Sequence, residues 1–185
     1  MTRTLIVGGA RSGKSAYAEQ LATQSGKSVV YIATAAARDS EMEKRIAVHR
    51  SRRDTAWATI EEQLALGDAI ARASTSDSLV LVDCLTVWLS NLLFSERMDY
   101  PEVGEIVPPV AFTEQRAHFL DALEQAAGDV ILVSNEVGLG IVPQGAISRW
   151  FVDEAGRLNQ AVAARCEHAV FVAAGLPLVL KGALC

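Results

Sequence analysis

Short runs of consecutive apolar residues alternate along the chain with longer segments in which apolar residues recur every three or four positions. The short runs predict strands buried on both faces of a parallel sheet, because a strand with one solvated face would alternate apolar and polar residues. The longer segments have the spacing of amphipathic helices. The repeated strand–helix order therefore predicts an α/β fold with a mostly parallel sheet flanked by helices.

Five apolar runs are predicted as strands, and a sixth at 177–182 is predicted to close one edge of the sheet. The five are TLIVG (4–8), SVVYIA (28–33), SLVLVD (78–83), DVILVS (129–134) and HAVFVA (168–173). The predicted helices are 14–24, 41–53, 61–73, 111–127 and 148–166. Segment 95–110 carries three of the five prolines and is predicted to be a long surface loop, since strand–helix units continue on both sides of it.

Charge and cysteine content narrow the functional classes. The chain has 185 residues and a net charge of −5, which argues against binding to nucleic acid polymers, because phosphate-backbone binding is typical of strongly basic domains. Its three cysteines have no C-x-x-C spacing, so neither a disulfide framework nor a zinc site is predicted. No apolar stretch is long enough to span a bilayer. We therefore expect a cytoplasmic protein with no membrane span.

The segment GGARSGKS follows the first predicted strand and precedes the first predicted helix. This is the G-x-x-x-x-G-K-S pattern in the strand–loop–helix context that binds nucleotide phosphates. Gly8 and Gly13 allow the backbone to curl around phosphate oxygens, which the positive end of the following helix also attracts. Lys14 is expected to reach the β- and γ-phosphates, and the Ser15 hydroxyl to coordinate Mg²⁺. The phosphate-binding residues are predicted to be Gly8, Gly9, Ala10, Arg11, Ser12, Gly13, Lys14 and Ser15.

Asp83 is the last residue of a predicted strand, at the carboxyl end where ligands collect in parallel sheets. A phosphate loop normally needs a second acidic residue on a neighbouring strand for its magnesium ion. Asp83 is therefore predicted to share the metal site with Ser15. The alternative is that Asp83 caps a helix, since Thr86 and Leu89 follow in helical register.

One histidine, His49, lies in a basic segment of an otherwise acidic chain. On a helix over 41–53, it would share an arc of roughly 100° with several arginines, at 100° per residue. Nearby positive charge disfavours the imidazolium and leaves a lone pair available, while guanidinium groups bind phosphate oxygens. His49 is therefore a candidate covalent nucleophile for phosphorus, and the alternative is a solvated basic helix face. The arginines on this arc are Arg45, Arg52 and Arg53, and Arg50 directly follows His49.

Six motifs follow one another along the chain, and together they resemble those of a known family. They are GGARSGKS (8–15), YIATA (31–35), E-M-x-x-R-I-x-x-H-R (41–50), W-x-T-x-E (57–61), SNEVGLGIVP (134–143) and AGRLNQ (155–160). From residue 5 to about 180 the chain resembles the bifunctional adenosylcobinamide kinase/adenosylcobinamide-phosphate guanylyltransferase family of cobalamin biosynthesis. The resemblance implies a P-loop NTPase-type fold and a homotrimer. The length of the chain predicts that 1–185 is a single P-loop nucleotide-binding catalytic domain.

The resemblance also implies two reactions and the residues that support them. In the first, ATP or GTP phosphorylates adenosylcobinamide, with Lys14 and Mg²⁺ neutralising the transferring group. In the second, GMP passes from GTP to His49 and then to adenosylcobinamide phosphate, giving adenosylcobinamide-GDP. Some members of the family carry glutamate where Asp83 stands. The residues implied in GTP binding are Ala33, Thr34, Ala35, Arg50, Ser51, Arg52, Arg53, Glu61 and Asp83.

Two other functions remain open from the residues alone. One is a P-loop small-molecule kinase without guanylyl transfer, in which His49 only positions phosphate. The other is a non-catalytic GTP-dependent switch, against which the chain has no N-K-x-D guanine-recognition sequence. Asn135 and Glu136 follow a predicted strand at its carboxyl end and are expected either to meet substrate or to shape a turn. Arg157 and Asn159 are expected to have structural roles, and the alternative is that they reach the site or a subunit interface.

Overall fold

The computed structural model describes residues 1–35 and 54–183, which form seven strands and five helices. The predicted helix over 41–53 lies outside these residues. In chain order the elements are β1 (Arg3–Gly8), α1 (Lys14–Gln24), β2 (Ser28–Ala33), β3 (Ala58–Glu61), α2 (Leu66–Ala73), β4 (Ser78–Asp83), α3 (Leu85–Leu93), α4 (Val110–Gln125), β5 (Asp129–Asn135), α5 (Ala146–Arg165), β6 (His168–Ala173) and β7 (Leu176–Lys181).

The strands form one sheet in the order β3-β2-β4-β5-β1-β6-β7. Neighbouring strands are parallel except for β6 and β7, which are antiparallel. The predicted parallel sheet with a closing edge strand is therefore confirmed. Strand β5 lies between β1, which leads into the phosphate loop, and β4, which ends at Asp83. The carboxyl ends of these three strands meet at one edge of the sheet, where ligands bind in folds of this class.

Helices cover both faces of the central strands. Along β1, Leu5 and Val7 belong to the apolar cluster on the α2–α5 face, while Ile6 belongs to the cluster on the α1 face. Within the larger cluster the rings of Trp88 and Phe119 lie 5.0 Å apart, and the Trp88 indole donates a hydrogen bond to a backbone carbonyl. Burial on both faces explains why these strands read as continuous apolar runs. None of the helices in the described residues is long and apolar enough to cross a membrane.

The structure differs from the sequence predictions at four points. The short edge strand β3 was not predicted, and neither was helix α3 as an element. The helix predicted from residue 61 begins only at Leu66, because the Glu62 carboxylate accepts hydrogen bonds from the N–H groups of Leu64 and Ala65 and holds a turn there. The capping alternative for Asp83 is also wrong, since the N-cap position of α3 is Cys84.

The loop predicted over 95–110 is present between α3 and α4. The Tyr100 hydroxyl donates a 2.7 Å hydrogen bond to the carbonyl oxygen of Leu93, at the end of α3. The carbonyl oxygen of Glu102 accepts a 3.2 Å hydrogen bond from the N–H of Ala146, at the start of α5. Ile106 is buried. These contacts fix the loop to the surface formed by the two helices.

Candidate nucleotide-binding site

The phosphate loop is the turn between Gly8, the last residue of β1, and Lys14, the first residue of α1. The Ser12 N–H donates a 3.2 Å hydrogen bond to the carbonyl oxygen of Gly9, which closes the turn. Arg11 and Gly13 have left-handed φ angles of 57° and 97°. Alternation of right- and left-handed residues directs successive N–H groups towards one side and creates an anion-binding concavity.

Close packing explains both glycines of the motif. A Cβ atom on Gly8 would lie 2.4 Å from the carbonyl oxygen of Val172 in β6. A Cβ atom on Gly13 would lie 3.1 Å from the Cα of Gly175, in the turn between β6 and β7. The same turn donates a 2.8 Å hydrogen bond from the Gly175 N–H to the carbonyl oxygen of Ser12. The phosphate loop is therefore held against β6 and the turn that follows it.

The side chains of the loop suit an anionic ligand. Lys14 is only 9% exposed, and its ammonium group donates a 3.2 Å hydrogen bond to the carbonyl oxygen of Gly9. The Ser12 hydroxyl is buried and has no hydrogen-bond partner among the described residues. Ser15 is the second residue of α1, where backbone N–H groups lack intrahelical partners. A buried ammonium, an unpaired hydroxyl and a helix N-terminus together suit the binding of a phosphate group.

Asp83 lies at the carboxyl end of β4 and is partly buried. The Tyr31 hydroxyl, which comes from β2, donates a 3.2 Å hydrogen bond to Oδ2 of Asp83. Leu79 and Leu81 precede Asp83 at alternate positions of β4 and belong to the cluster on the α1 face, so the carboxylate points to the face that carries α1. Tyr31 thus orients the Asp83 carboxylate on the same side of the sheet as the phosphate loop.

Residues 33–35, at the end of β2, are predicted to bind GTP. They lie between Glu61 and Asp83, the two acidic residues that are also predicted to bind it. Ala33 is in register with Asp83 on β4 and with Glu61 on β3. The sheet therefore brings Ala33, Glu61 and Asp83 side by side at its carboxyl edge. Ala35, two residues later, is half-buried.

Thr34 is fully buried, and each of its polar atoms is bonded within the protein. Its hydroxyl donates to the carbonyl oxygen of Cys84 and accepts from the Cys84 N–H, both at 2.9 Å. Its N–H donates to the carbonyl oxygen of Asp83, and its own carbonyl oxygen accepts from the Asn91 side chain at 2.8 Å. Thr34 consequently joins the ends of β2 and β4 and fixes the backbone that carries Asp83.

Cys84 follows Asp83 and is buried in the apolar cluster on the α1 face. Burial, with a smaller contribution from the negative charge of Asp83, raises the pKa of the Cys84 thiol to about 12. The thiol is therefore protonated at neutral pH and is a poor nucleophile there.

Asn135 and Glu136, at the end of β5, have different surroundings. The Glu136 carboxylate accepts a 2.7 Å hydrogen bond from the Gly138 N–H, so it shapes the turn after the strand. The Glu136 N–H donates to the carbonyl oxygen of Gly8. Asn135 is in register with Gly8, and its N–H donates a 2.7 Å hydrogen bond to the Thr86 hydroxyl. The end of β5 is thus bonded directly to the start of the phosphate loop.

The structure brings most of the sequence-predicted residues to one sheet edge and adds others. The predicted histidine and its neighbours, His49, Arg50, Ser51, Arg52 and Arg53, lie outside the described residues, as does Arg45. Sequence reasoning did not assign roles to Tyr31, Thr86 and Asn91, which orient or anchor the site. Tyr31 lies in the YIATA motif, which is the only signal that could have drawn attention to it.

With this geometry established, similarity to known proteins identifies the family. The sequence model of the family described as cobinamide kinase / cobinamide phosphate guanyltransferase, or CobU, matches residues 4–180. The chain belongs to this family. The bifunctional adenosylcobalamin biosynthesis protein CobP of Pseudomonas aeruginosa is 51% identical over 180 residues, covering 97% of this chain and 98% of that protein. The CobU protein of Escherichia coli K12 is 36% identical over 184 residues, covering 96% and 98%.

Solved structures support the fold at much lower identity. The EscN ATPase of an enteropathogenic E. coli type III secretion system matches with a TM-score of 0.55 and 13% identity, covering 94% of this chain and 43% of that one. The ATP synthase subunit NeqB of Nanoarcheaum equitans matches with a TM-score of 0.54 and 14% identity, covering 92% and 46%. The P-loop NTPase-type fold predicted from the sequence is therefore confirmed.

Proposed function

We propose that this protein is a bifunctional enzyme of cobalamin biosynthesis. It phosphorylates adenosylcobinamide with ATP or GTP, and it then transfers GMP from GTP to adenosylcobinamide phosphate through a histidine–GMP intermediate on His49. The observation that carries the proposal is the phosphate loop with its buried Lys14, on the same sheet edge and face as the anchored carboxylate of Asp83, in a chain of this family.

In the kinase reaction, the backbone N–H groups of residues 8–15 bind the triphosphate and Lys14 balances its β- and γ-phosphate charges. A hydroxyl oxygen of adenosylcobinamide attacks the γ-phosphorus, the bond from that phosphorus to the bridging oxygen breaks, and the nucleoside diphosphate leaves. The Ser15 hydroxyl and the Asp83 carboxylate supply oxygen ligands of the kind Mg²⁺ prefers, and they are the residues that would hold it. When bound, Mg²⁺ neutralises charge on the phosphates.

In the guanylyltransferase reaction, an imidazole nitrogen of His49 attacks the α-phosphorus of GTP and pyrophosphate leaves. A phosphate oxygen of adenosylcobinamide phosphate then attacks the same phosphorus, the phosphorus–nitrogen bond breaks, and adenosylcobinamide-GDP forms. We propose that Arg50, Arg52 and Arg53 bind the nucleotide phosphates, since guanidinium groups form paired hydrogen bonds with phosphate. Further GTP contacts are assigned to residues 33–35, Ser51, Glu61 and Asp83, of which Ala33, Glu61 and Asp83 are side by side in the sheet. Because Thr34 is fully buried and its hydroxyl is bonded to Cys84, its part is to hold the backbone that carries Asp83.

We also propose that residues 1–185 act as a single catalytic domain, in the cytoplasm and as a homotrimer. The partners assigned to it are small molecules, namely ATP or GTP and a corrinoid, and not nucleic acid. The family description supports the corrinoid and nucleotide substrates, and the net charge of −5 supports the exclusion of nucleic acid. The single domain, the cytoplasm and the homotrimer are carried over from the sequence analysis.

The deciding experiment is intact-protein mass spectrometry after incubation with GTP and Mg²⁺. Wild type should gain the mass of one GMP, and acid should remove it because a phosphoramidate is acid-labile. The His49→Ala variant should gain nothing. His118→Ala is the matched control, because His118 is an exposed histidine that pairs with Asp68 on the α2–α4 surface and should leave the adduct unchanged.

Two other results would favour the alternative functions, which are a kinase without guanylyl transfer and a GTP-dependent switch. Wild-type protein that phosphorylates adenosylcobinamide but forms no GMP adduct would be a kinase alone. Wild-type protein that binds GTP, performs neither reaction and binds another protein only in its GTP state would be a switch.

A further inference from the structure

Asn135 lies between the phosphate loop and Asp83. Strand β5 pairs with β1 on one side, where Asn135 is in register with Gly8. It pairs with β4 on the other side, where Val133 is in register with Asp83. Asn135 is the last residue of β5. Along the strand direction it is level with the start of the phosphate loop, and it lies two residues beyond the level of Asp83.

The side chain of Asn135 points to the face of the sheet that carries α1. Ile131 and Val133 precede it at alternate positions and both belong to the apolar cluster on that face. Its Nδ2 lies 3.9 Å from the sulfur of Cys84, the residue after Asp83. Among residues 1–35 and 54–183, this weak contact with sulfur is the single hydrogen bond of the side-chain amide. An amide has two N–H donors, so donor capacity remains for a ligand.

The backbone of Asn135 is fixed on both sides. Its N–H donates to the buried Thr86 hydroxyl at 2.7 Å, and Thr86 is in turn bonded to the Ser134 hydroxyl at 3.2 Å. Its carbonyl oxygen accepts a 3.3 Å hydrogen bond from Nδ2 of Asn159, on α5. Two polar side chains thus hold the backbone of Asn135 directly, and the Ser134 hydroxyl holds one of the two in place. Anchoring of this kind preorganises a side chain for contact with a ligand.

We propose that the Asn135 side-chain amide donates a hydrogen bond to the γ-phosphoryl group in the kinase reaction and takes no part in guanylyl transfer. The proposal rests on the proposed function. The Lys14 ammonium and the magnesium site proposed at Asp83 mark where the β- and γ-phosphates lie. In phosphoryl transfer, the lysine and the metal ion both act at the β,γ end of the triphosphate. Asn135 lies between them, whereas the α-phosphorus attacked by His49 is two phosphorus atoms further along the nucleotide.

A fixed N–H donor beside the transferring group stabilises its negative charge in the transition state. Glu136 does not compete for this role, because its carboxylate is bonded to the Gly138 N–H and would repel phosphate. Substrate contact and the shaping of a turn, the two roles expected for Asn135 and Glu136, therefore belong to different residues. Asn135 contacts the substrate, as a catalytic residue, and Glu136 shapes the turn. Asn159 acts through Asn135 and is a positioning residue.

The test compares full-length wild type, Asn135→Ala and Asn135→Asp in three assays: kinase kcat, KM for ATP, and the rate of GMP adduct formation from GTP. Asn135→Ala should lower kinase kcat about 100-fold, as removal of one charge-stabilising donor does elsewhere. KM for ATP and the rate of GMP adduct formation should stay within about threefold, since neither depends on this donor. Asn135→Asp should be at least as slow, because it replaces the donor with a negative charge. Gln160→Ala, an exposed neighbour of Asn159 on α5, is the control.

Two results for the variants would overturn the inference. Kinase kcat within about threefold of wild type in Asn135→Ala would show that the amide makes no catalytic contact. A parallel fall in kinase activity, ATP affinity and adduct formation would show that Asn135 only shapes the phosphate loop. Failure of the proposed function is distinguishable, because it would appear as loss of activity in the wild-type protein itself.

Discussion

The Gly175 N–H donates a hydrogen bond to the Ser12 carbonyl oxygen, and this contact attaches the turn between β6 and β7 to the phosphate loop. Gly13 packs against the same turn and has a φ of 97°, a conformation that residues with a side chain rarely adopt. The shape of the phosphate loop therefore depends on a hairpin near the other end of the described chain.

Gly13→Ala should weaken GTP binding, because the added Cβ is strained at this φ and pushes the loop away from Gly175. We expect Kd for GTP, measured by isothermal titration calorimetry, to rise by about tenfold or more, which corresponds to a cost of about 1–2 kcal/mol for a left-handed residue with a side chain. Gly26→Ala is the matched control, since Gly26 also has a positive φ but no atom within 4 Å of its Cβ position. Unchanged GTP affinity in Gly13→Ala would contradict the prediction.

Thr34→Val should destabilise the fold and slow the kinase reaction. The substitution keeps the shape of the side chain but leaves the buried Cys84 N–H without the Thr34 hydroxyl, while the Cys84 carbonyl oxygen keeps its hydrogen bond from the Trp88 N–H. An unsatisfied buried polar group costs about 1–3 kcal/mol, which urea unfolding would detect.

Thr23→Val provides the comparison for this experiment. The Thr23 hydroxyl bonds to a carbonyl on the exposed surface of α1, so its loss should change the free energy of unfolding by less than about 0.5 kcal/mol. Equal stability of the two variants would show that the buried contact between Thr34 and Cys84 contributes little.

Asp83→Asn should separate metal dependence from folding. The amide keeps the size of the side chain and an oxygen that can accept the Tyr31 hydrogen bond, but it loses the negative charge. We expect kinase kcat to fall roughly 100-fold and the Mg²⁺ concentration for half-maximal activity to rise, with an unchanged melting temperature. Asp77→Asn, on the exposed loop before β4, should match wild type. An unchanged Mg²⁺ titration in Asp83→Asn would remove this residue from the metal site.

Asp129, at the start of β5, should contribute to stability in a pH-dependent way. Burial alone would raise the pKa of this carboxyl, but hydrogen bonds from Lys27 and the Thr2 N–H, with the positive charge of Lys27, lower it overall. Because the folded-state pKa is below the unfolded value, the charged carboxylate stabilises the folded state above pH about 4, and this stabilisation is lost as pH falls through the lowered pKa.

Asp129→Asn should therefore lower the free energy of unfolding by up to about 1 kcal/mol at pH 7, the usual size for a solvent-screened pair. Chemical denaturation at a series of pH values is the measurement. The difference between wild type and variant should shrink towards pH 3. A difference that stays constant with pH would mean that charge is not its cause.

The strands that carry the site could be predicted because both of their faces are buried, which leaves an unbroken apolar signal in the sequence. Strand β3 has four residues at an edge of the sheet, mostly exposed, and gives no such signal. Helix α3 is buried nearly all round, so its sequence LTVWLSNLL lacks the polar face that marks an amphipathic helix.

The residues of the candidate site also differ in whether the sequence could predict them. The phosphate loop and Asp83 could be predicted because a local motif and a strand end mark them. The role of Thr34 could not, because its partner Cys84 lies 50 positions away in sequence. For Asn135, contact with substrate and a turn role are equally plausible from the sequence, and contact with substrate stays a proposal. The nucleophilic role of His49 stays a prediction.

The strand order also has a consequence for how the protein is made. Strand β1 leaves the ribosome before its neighbours β5 and β6, and the Thr2 N–H bonds to Asp129, 127 positions further along. A nascent chain therefore carries the phosphate loop without the two strands that support it until the residues between them have been made. Since a ligand stabilises only the conformation it binds, cellular nucleotide can assist folding only after β5 and β6 have emerged.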